Sequence, residues 1–495
     1  MPNSPENLQF TVHPALGGLD VSSDPTILDP NFCTIAQNIE YLEGGQKRKR
    51  FGTLQYSASS STAGTFTNVM VTSSSNVRAI KDFWRYGTSL TPVQQHVAVT
   101  GASIFRSTGA GAWTAVTATS SFGTNSSLNT TITIAQDYAV ISDGIVQPVA
   151  YDMVTTTLLV PSTGANWPIF EAAQYHLGRL WVGGLSTAPS DIRYMAAGNL
   201  FDSTGTDTGS LPIDPGDGDR VMGLSQTFYG SIYVFKGPQQ GSVHQISGTT
   251  PSTFARVKVA HGAPLQDPHA LISTPTDIYW MSEYGVHSLQ TTVKFGNVEQ
   301  AFLSLPIQKL FRDNIIKRED LVNAAGFWNP MRNIVGWAVT PNGQTGQGAR
   351  NWILVYNYAL SDPKPGGKKF WSIWVMSGYG INCFDVMRNS TFQPNHTGEP
   401  HLYIGADNGL VYQADWTTMG DDLTAYTAIV QTPTITRFPS PGKTIPETQE
   451  KIIQGLVTYY NTKNISDIAD LTVTVDNRVQ STSIILASGS GDTLA

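Results

Sequence analysis

Two short loops hold the residues whose types and spacing could do chemistry. Asp214, Asp217 and Asp219 in the run DPGDGD offer carboxylate oxygens, the hard ligands calcium takes. The run lacks the alternate-position ligands and the closing Glu of an EF-hand loop, so the three aspartates stand only as weak metal candidates. His261, Asp267 and His269 in HGAPLQDPH supply imidazole and carboxylate groups of the kind that hold zinc. Their spacing matches no established site, and the preferred reading is a Gly- and Pro-shaped connection between strands. There is no G-x-S-x-G elbow, no P-loop, no H-E-x-x-H and no repeated S-x-D-x-G-x-T-W box of the sialidase kind. The chain is therefore expected not to be an enzyme, and no catalytic residue or cofactor is nominated.

Lys47, Arg48, Lys49 and Arg50 form the one dense basic run. Alone, such a run reads as a nucleic-acid contact. In an acidic chain a solvated strand end or a salt-bridging subunit contact is preferred, so these four are assigned to an interface. The 11 tryptophans sit mostly inside apolar runs, which assigns the majority to core packing rather than to sugar platforms. Cys33 and Cys383 are expected to be free thiols, because a core of this size needs no staple.

The elements around these residues are short strands. Runs such as HVAVT, RLWVG, DIYWM, NWILVYNY and KFWSIWVM are rich in Val, Ile, Tyr and Trp and are bounded by Gly, Asn, Asp, Ser and Pro. Five segments read as strand, Gly-containing turn, strand: HVAVTGASIFRS, YAVISDGIVQPVAYD, IYVFKGPQQGSVHQI, DIYWMSEYGVHSL and HLYIGADNGLVYQAD. Hairpins recurring without a strict consensus indicate an all-β fold, a degenerate β-propeller. One segment breaks the pattern: Leu305 to Ala325 has apolar residues at helical spacing and Pro306 at a first turn, predicting a helical insertion near 305–325.

The chain has 495 residues, a formal net charge of −7 and only 14% charged residues. That balance argues against tight phosphate gripping, while leaving room for a protein past which DNA slides. The first residues resemble no signal peptide, and no apolar stretch of spanning length occurs. Domains are expected as an arm at 1–56, a propeller at 57–430 and a C-terminal β segment at 431–495 that joins the arm in a platform. Lys451 to Tyr460 and Leu471 to Leu486 read as strands of that platform, and the final SGSGDTLA reads as a loop leading to a further strand.

Phe10 to Thr53 resembles the opening of tail nozzle proteins of short-tailed bacteriophages, also called tail-tube or DNA-stabilisation proteins. The matching residues are Gly17, Gly18, Leu19, Pro25, Pro30, Asn38, Gly44, Gly45, Arg48, Arg50 and Gly52, with Phe51 standing where the family commonly has Pro. Tyr175 to Asp202 and Phe228 to Gly248 resemble the family's blades more loosely. The resemblance implies a non-enzymatic virion protein of the tail, assembled in the host cytoplasm as a homo-oligomer, a hexameric ring below the portal. Its implied partners are a tail adaptor, tail fibre or spike proteins, and double-stranded DNA that passes without sequence-specific binding. An acidic to neutral bore is expected, with Lys47 to Arg50 facing a neighbouring subunit or the adaptor. The alternative reading is a receptor- or glycan-binding propeller, and a glycoside hydrolase is a distant third.

Overall fold

The computed structural model describes residues 16–29, 31–43, 46–56, 76–86, 93–100, 103–107, 113–116, 130–154, 156–158, 167–290, 302–362, 367–388, 400–415, 420–422, 424–433, 467–475 and 478–486. Seven antiparallel sheets follow one another along the chain. Blade 1 spans Ala79–Arg85, Val93–Val99, Ile104–Ser107 and Thr114–Val116. Blade 2 runs from Thr131–Ala135 to Thr156–Leu158, blade 3 from Ala172–His176 to Gly209–Pro212, and blade 4 from Arg220–Leu224 to Ala255–His261. Blade 5 is Leu271–Ser273, Ile278–Ser282 and Gly285–Ser288, with Phe302 bridging His287 in the fourth position. Blade 6 begins at Ala325–Asn329 and blade 7 at Ile381–Arg388.

The first strand of each blade packs on the first strand of the next: blades 1, 2, 3 and 4 in turn, then blade 5 onto 6, 6 onto 7, and 7 back onto 1. Between blades 4 and 5 the contact is made through Pro268–Ala270, the turn leading into blade 5. The seven first strands thus ring a central channel, and the protein is a seven-bladed β-propeller. Side-chain alternation fixes the geometry. Val97 and Val99 join a cluster with Ala139 and Ile141 of blade 2, while Ala98 between them joins Cys383, Met387 and Tyr403 of blade 7. Leu180 and Val182 meet Val140 and Ala150 of blade 2, and Trp181 meets Val221 and Val234 of blade 4. Each sheet is apolar on both faces, which accounts for the low fraction of charged residues.

The ring is closed by the N-terminal segment. Gly52–Gln55 is the fourth strand of blade 7, antiparallel to Val411–Asp415, and is flanked by Gly420–Asp421. Ile35–Gln37 extends blade 6 beside Phe370–Val375, and Ile429–Gln431 pairs on its far side. This corrects the expected division: residues 18–55 belong to the propeller, in one compact unit that runs to Ile435, rather than to a separate platform. The physical reason is that a blade ring needs a last strand to cover its edge, and the arm supplies it. The remainder, Thr436–Ala495, is its own unit, in which Asp467–Val475 pairs antiparallel with Arg478–Leu486. The run read as a strand at Lys451 to Tyr460 lies outside the described residues.

The expected helix is shorter than its periodicity implied. Gln308–Arg312 is helical, flanked by 3-10 turns at Leu305–Ile307 and Arg318–Asn323. Asn314 takes φ +53°, and the amides of Ile315 and Ile316 both fold back onto the Leu310 carbonyl, which ends the helix. Of the apolar residues at that spacing Ile307, Leu310, Phe311 and Leu321 are buried, but Ile315 is exposed and Ile316 is buried in its place, because the segment bends after Leu310.

Gly18 is the tightest point of the arm. It has φ +90°, and a Cβ there would lie 2.3 Å from the Lys369 carbonyl oxygen. Gly18→Ala should lower stability by about 1–3 kcal/mol from backbone strain alone, more if the Lys369 strand end is displaced. A urea midpoint unchanged from the parent would refute this close approach.

Candidate functional site

The basic run does not act as one surface. Lys47–Lys49 forms a two-stranded ribbon with Ile39–Tyr41, and in it Arg48 pairs with the buried Glu40 at 2.5 Å. Lys49 lies over the Tyr426 ring, 4.3 Å from its centroid. Arg50 has no exposure at all. Its Nη1 and Nη2 donate to the Asp421 carboxylate at 2.9 and 2.5 Å, and to the carbonyls of Phe51 at 2.8 Å and Val375 at 2.7 Å. Its Nε donates to Asn38 Oδ1 at 3.0 Å, and the guanidinium stacks 3.7 Å from the Tyr426 ring centroid. The interface assignment is therefore corrected for Arg50: five hydrogen bonds in a dry setting make it an internal clamp. Lys47, Arg48 and Lys49 keep part of their surface.

Asn38 explains why the clamp forms there. At φ +54° it reverses the chain between Ile35–Gln37 and Ile39–Tyr41. Its side chain accepts from the Val375 amide at 2.7 Å and donates to the Thr427 carbonyl at 2.7 Å. The match residues Asn38, Arg50 and Gly52 thus tie the N-terminal arm to blades 6 and 7 and to residues 421–427.

The aspartate loop is fully engaged by protein groups. Asp217 holds the buried Lys236 ammonium at 2.6 and 2.7 Å. Asp219 accepts from the amides of Gln239, Gln240 and Gly241. Asp214 pairs with Arg256 and Lys258, which hold its carboxyl below the usual range despite partial burial. The charge of these carboxylates is already answered by cations and amides, and among the described residues no group of three such side chains could hold a metal, so the candidacy of Asp214, Asp217 and Asp219 is withdrawn. His261 ends the outer strand of blade 4, exposed, while His269 and Asp267 lie in the turn entering blade 5. His269 spends both ring nitrogens on Asp267 Oδ1 at 3.0 Å and the Thr130 carbonyl at 2.7 Å, which leaves no lone pair for a metal.

The central channel has no precedent in the motif search. Within it lies an open cavity of about 230 Å³, lined by residues of blades 1 to 5 and 7, with room for roughly seven or more waters at about 30 Å³ each. Thr131, Thr133, Gln174, Gln226, Ser273, Lys81 and His269 supply its polar lining. Lys81 Nζ bonds Asp385 Oδ1 at 2.7 Å across the seam of blades 1 and 7. Burial opposes the Lys81 charge, but Asp385 outweighs it and holds the ammonium pKa up. Beside them burial pushes the Asp82 carboxyl up to about 6 against hydrogen bonds from Gln94 and Trp84. His96 is buried under Tyr56 and Tyr403, which brings its imidazole down to about 4. Its Nε2 stands 3.8 Å from Asp82 Oδ1, too long for proton transfer, so this acid and base form a seam network rather than a catalytic pair. Sequence reasoning singled out His269 but missed the other channel residues, because Thr, Gln and Ser at the start of a blade carry no motif. Their shared position at the start of each blade is the only signal.

Trp167, Trp181, Trp280, Trp337, Trp371 and Trp374 are fully buried, in keeping with core packing. Cys33 and Cys383 are free and buried, and burial raises the Cys33 thiol to about 11. No helix among the described residues is long and apolar enough to cross a membrane.

No family model and no curated protein matches the chain. Solved structures of propellers do. One titled as YCF48 bound to D1 peptide is 11% identical, with a TM-score of 0.41, covering 79% of this chain and all of that one. BamB from Moraxella catarrhalis is 10% identical, with a TM-score of 0.37, covering 74% and 98%. The WD40 β-propeller domain of Doa1 is 9% identical, with a TM-score of 0.38, covering 69% and 97%. At these identities the likeness concerns the fold alone.

The clamp makes an asymmetric expectation. Without Arg50, Asp421 keeps only the Thr53 hydroxyl and the Ser377 amide. Without Asp421, Arg50 keeps three neutral acceptors. Arg50→Met should therefore cost about 3–5 kcal/mol, and Asp421→Asn clearly less. Denaturant unfolding followed by Trp fluorescence checks this; an Asp421→Asn loss equal to or above that of Arg50→Met would contradict the clamp.

Proposed function

We propose that this chain is a structural virion subunit, a tail nozzle protein of a short-tailed bacteriophage. Six copies would form a ring below the portal and adaptor that retains packaged DNA and conducts it during ejection. The observation that carries the reading is the placement of the match residues. Gly18, Leu19, Asn38, Arg50 and Gly52 lace the N-terminal arm into blades 6 and 7. In this chain those residues serve one mechanical end, a propeller locked by its own N-terminus, which supports reading the phrase as a unit.

Electrostatics supports the same reading. A conduit must not bind phosphate tightly, because each Lys or Arg contact adds a salt-dependent attraction that retards sliding. The chain is acidic at −7, and among the described residues many of its cations are spent internally, Arg50 and Lys236 completely. The propeller's own channel is far too small for a duplex, so the bore is the space that the ring of subunits encloses. Lys47, Arg48 and Lys49 remain for contacts with a neighbouring subunit or the adaptor. Tail fibre or spike proteins would attach to the outside of the ring, and the site of action is the virion tail.

Native mass spectrometry and negative-stain imaging of the purified chain test this. A hexameric ring with a pore wide enough for duplex DNA is the expected result. A monomer under assembly conditions that binds a glycan array would overturn it in favour of a receptor-binding propeller.

A further inference from the structure

His269 lies in the turn that enters the innermost strand of blade 5, yet its ring reaches the carbonyl of Thr130, the residue before the innermost strand of blade 2. Blades 2 and 5 are not neighbours, so this 2.7 Å contact crosses the channel at the end where the inner strands begin. The other nitrogen, Nδ1, lies 3.0 Å from Oδ1 of Asp267, which is 1% exposed and also accepts the His269 amide at 2.7 Å. A carbonyl and a carboxylate oxygen only accept. A neutral imidazole has one N–H to donate, so satisfying both contacts requires the imidazolium.

We propose that His269 is a pH-sensitive strut that spans and closes one end of the central channel while protonated, and opens it on losing its proton. Asp267 retains Nδ1–H after deprotonation, because the bond to an ionised acceptor is the stronger of the two. The proton lost is that on Nε2, and it leaves to solvent. The Nε2 lone pair then faces the Thr130 carbonyl, acceptor against acceptor, and the cross-channel contact separates.

The surrounding charges are arranged to keep the cation. Asp267 is on the same turn; Glu171, at the start of blade 3, adds negative potential and is itself paired with Arg220 of blade 4. Arg350, between the second and third strands of blade 6, opposes them, but it faces Asp267 and Asp407 and lies 3.6 Å from Asp320. Arg78 of blade 1 and Asp143 of blade 2 attract each other at the same end. From blade 2 the direct contact is the neutral Thr130 carbonyl. Burial disfavours the imidazolium, yet the Asp267 hydrogen bond and charge prevail and raise the ring above its usual 6.5. The folded-state value is thus the higher one. The stability it contributes is complete below 6.5 and is lost as pH rises through the raised value.

The test is a pH titration of the full chain carrying ¹⁵N-ring-labelled histidine, read by NMR, with His269 assigned by its absence in His269→Gln. The expected result is two protonated ring nitrogens, a midpoint above 6.5, and Nε2 as the nitrogen that loses its proton. Asp267→Asn should lower that midpoint. The wild-type unfolding temperature should fall across the same pH window, and the fall should be smaller in His269→Gln, whose amide can still donate to Thr130. A midpoint at or below 6.5, loss of the proton from Nδ1 instead, or an unchanged thermal pH dependence in His269→Gln would each overturn the proposal. If His269→Gln does not fold, the Asp267→Asn shift assigns the resonance and the wild-type titration decides.

Discussion

A blade ring closes when its last blade takes a strand from the far end of the chain, and here that closure rests on one buried ion pair. Arg50 and Asp421 are 371 residues apart and wholly dry. Desolvating two charges costs several kcal/mol each, so the pair is weak evidence for net stability. What it enforces is register. A guanidinium fixed by Asp421, Phe51, Val375 and Asn38 has one acceptable position, and moving the Gly52–Gln55 strand by a residue would strand the charge and turn Phe51 out of its cluster. Apolar burial supplies the energy. Each fully buried tryptophan contributes about 4–6 kcal/mol of transfer free energy at most, but apolar contacts alone would tolerate slippage.

The limits of the sequence reading follow from position within a blade. All five hairpins recognised from the sequence are the second and third strands of their blades. Those strands are covered on both faces, as in Arg179–Gly183 and Ile232–Gly237, and so read as unbroken apolar runs. First strands border the channel and are only half-buried, as in Thr131–Ala135, while fourth strands such as Ala255–His261 face solvent. Neither kind leaves a strong periodic signal, except in blade 6, whose fourth strand Phe370–Val375 is covered by the arm and reads as the apolar run KFWSIWVM. The arm was misplaced for a related reason. The two arm strands that join these blades, Ile35–Gln37 and Gly52–Gln55, are three and four residues long, and their partners lie more than 300 positions away, so nothing local shows that they belong to blades 6 and 7.

The charged motifs failed for a different reason. Lys47, Arg48, Lys49 and Arg50 look equivalent in sequence, but alternation along a short ribbon sends Arg48 to Glu40 and Lys49 to Tyr426, and the turn out of it buries Arg50. Asp214, Asp217 and Asp219 look like an open oxygen cluster until Lys236, Arg256 and Lys258 arrive from neighbouring strands of blade 4. A sequence shows which charges are close along the chain; it does not show which opposite charges the fold brings to them.

The polar groups of the channel are tied to each other across blades: Lys81 to Asp385, Thr131 to the Glu171 carbonyl, Thr133 to the Ala173 carbonyl, and His269 to Thr130. The first three links join adjacent blades around the ring, and the last joins blades 2 and 5 across its channel. A propeller laced in this way is a solid building block. In the proposed ring the conduit lies between such blocks, where the acidic balance of the chain favours passage over retention.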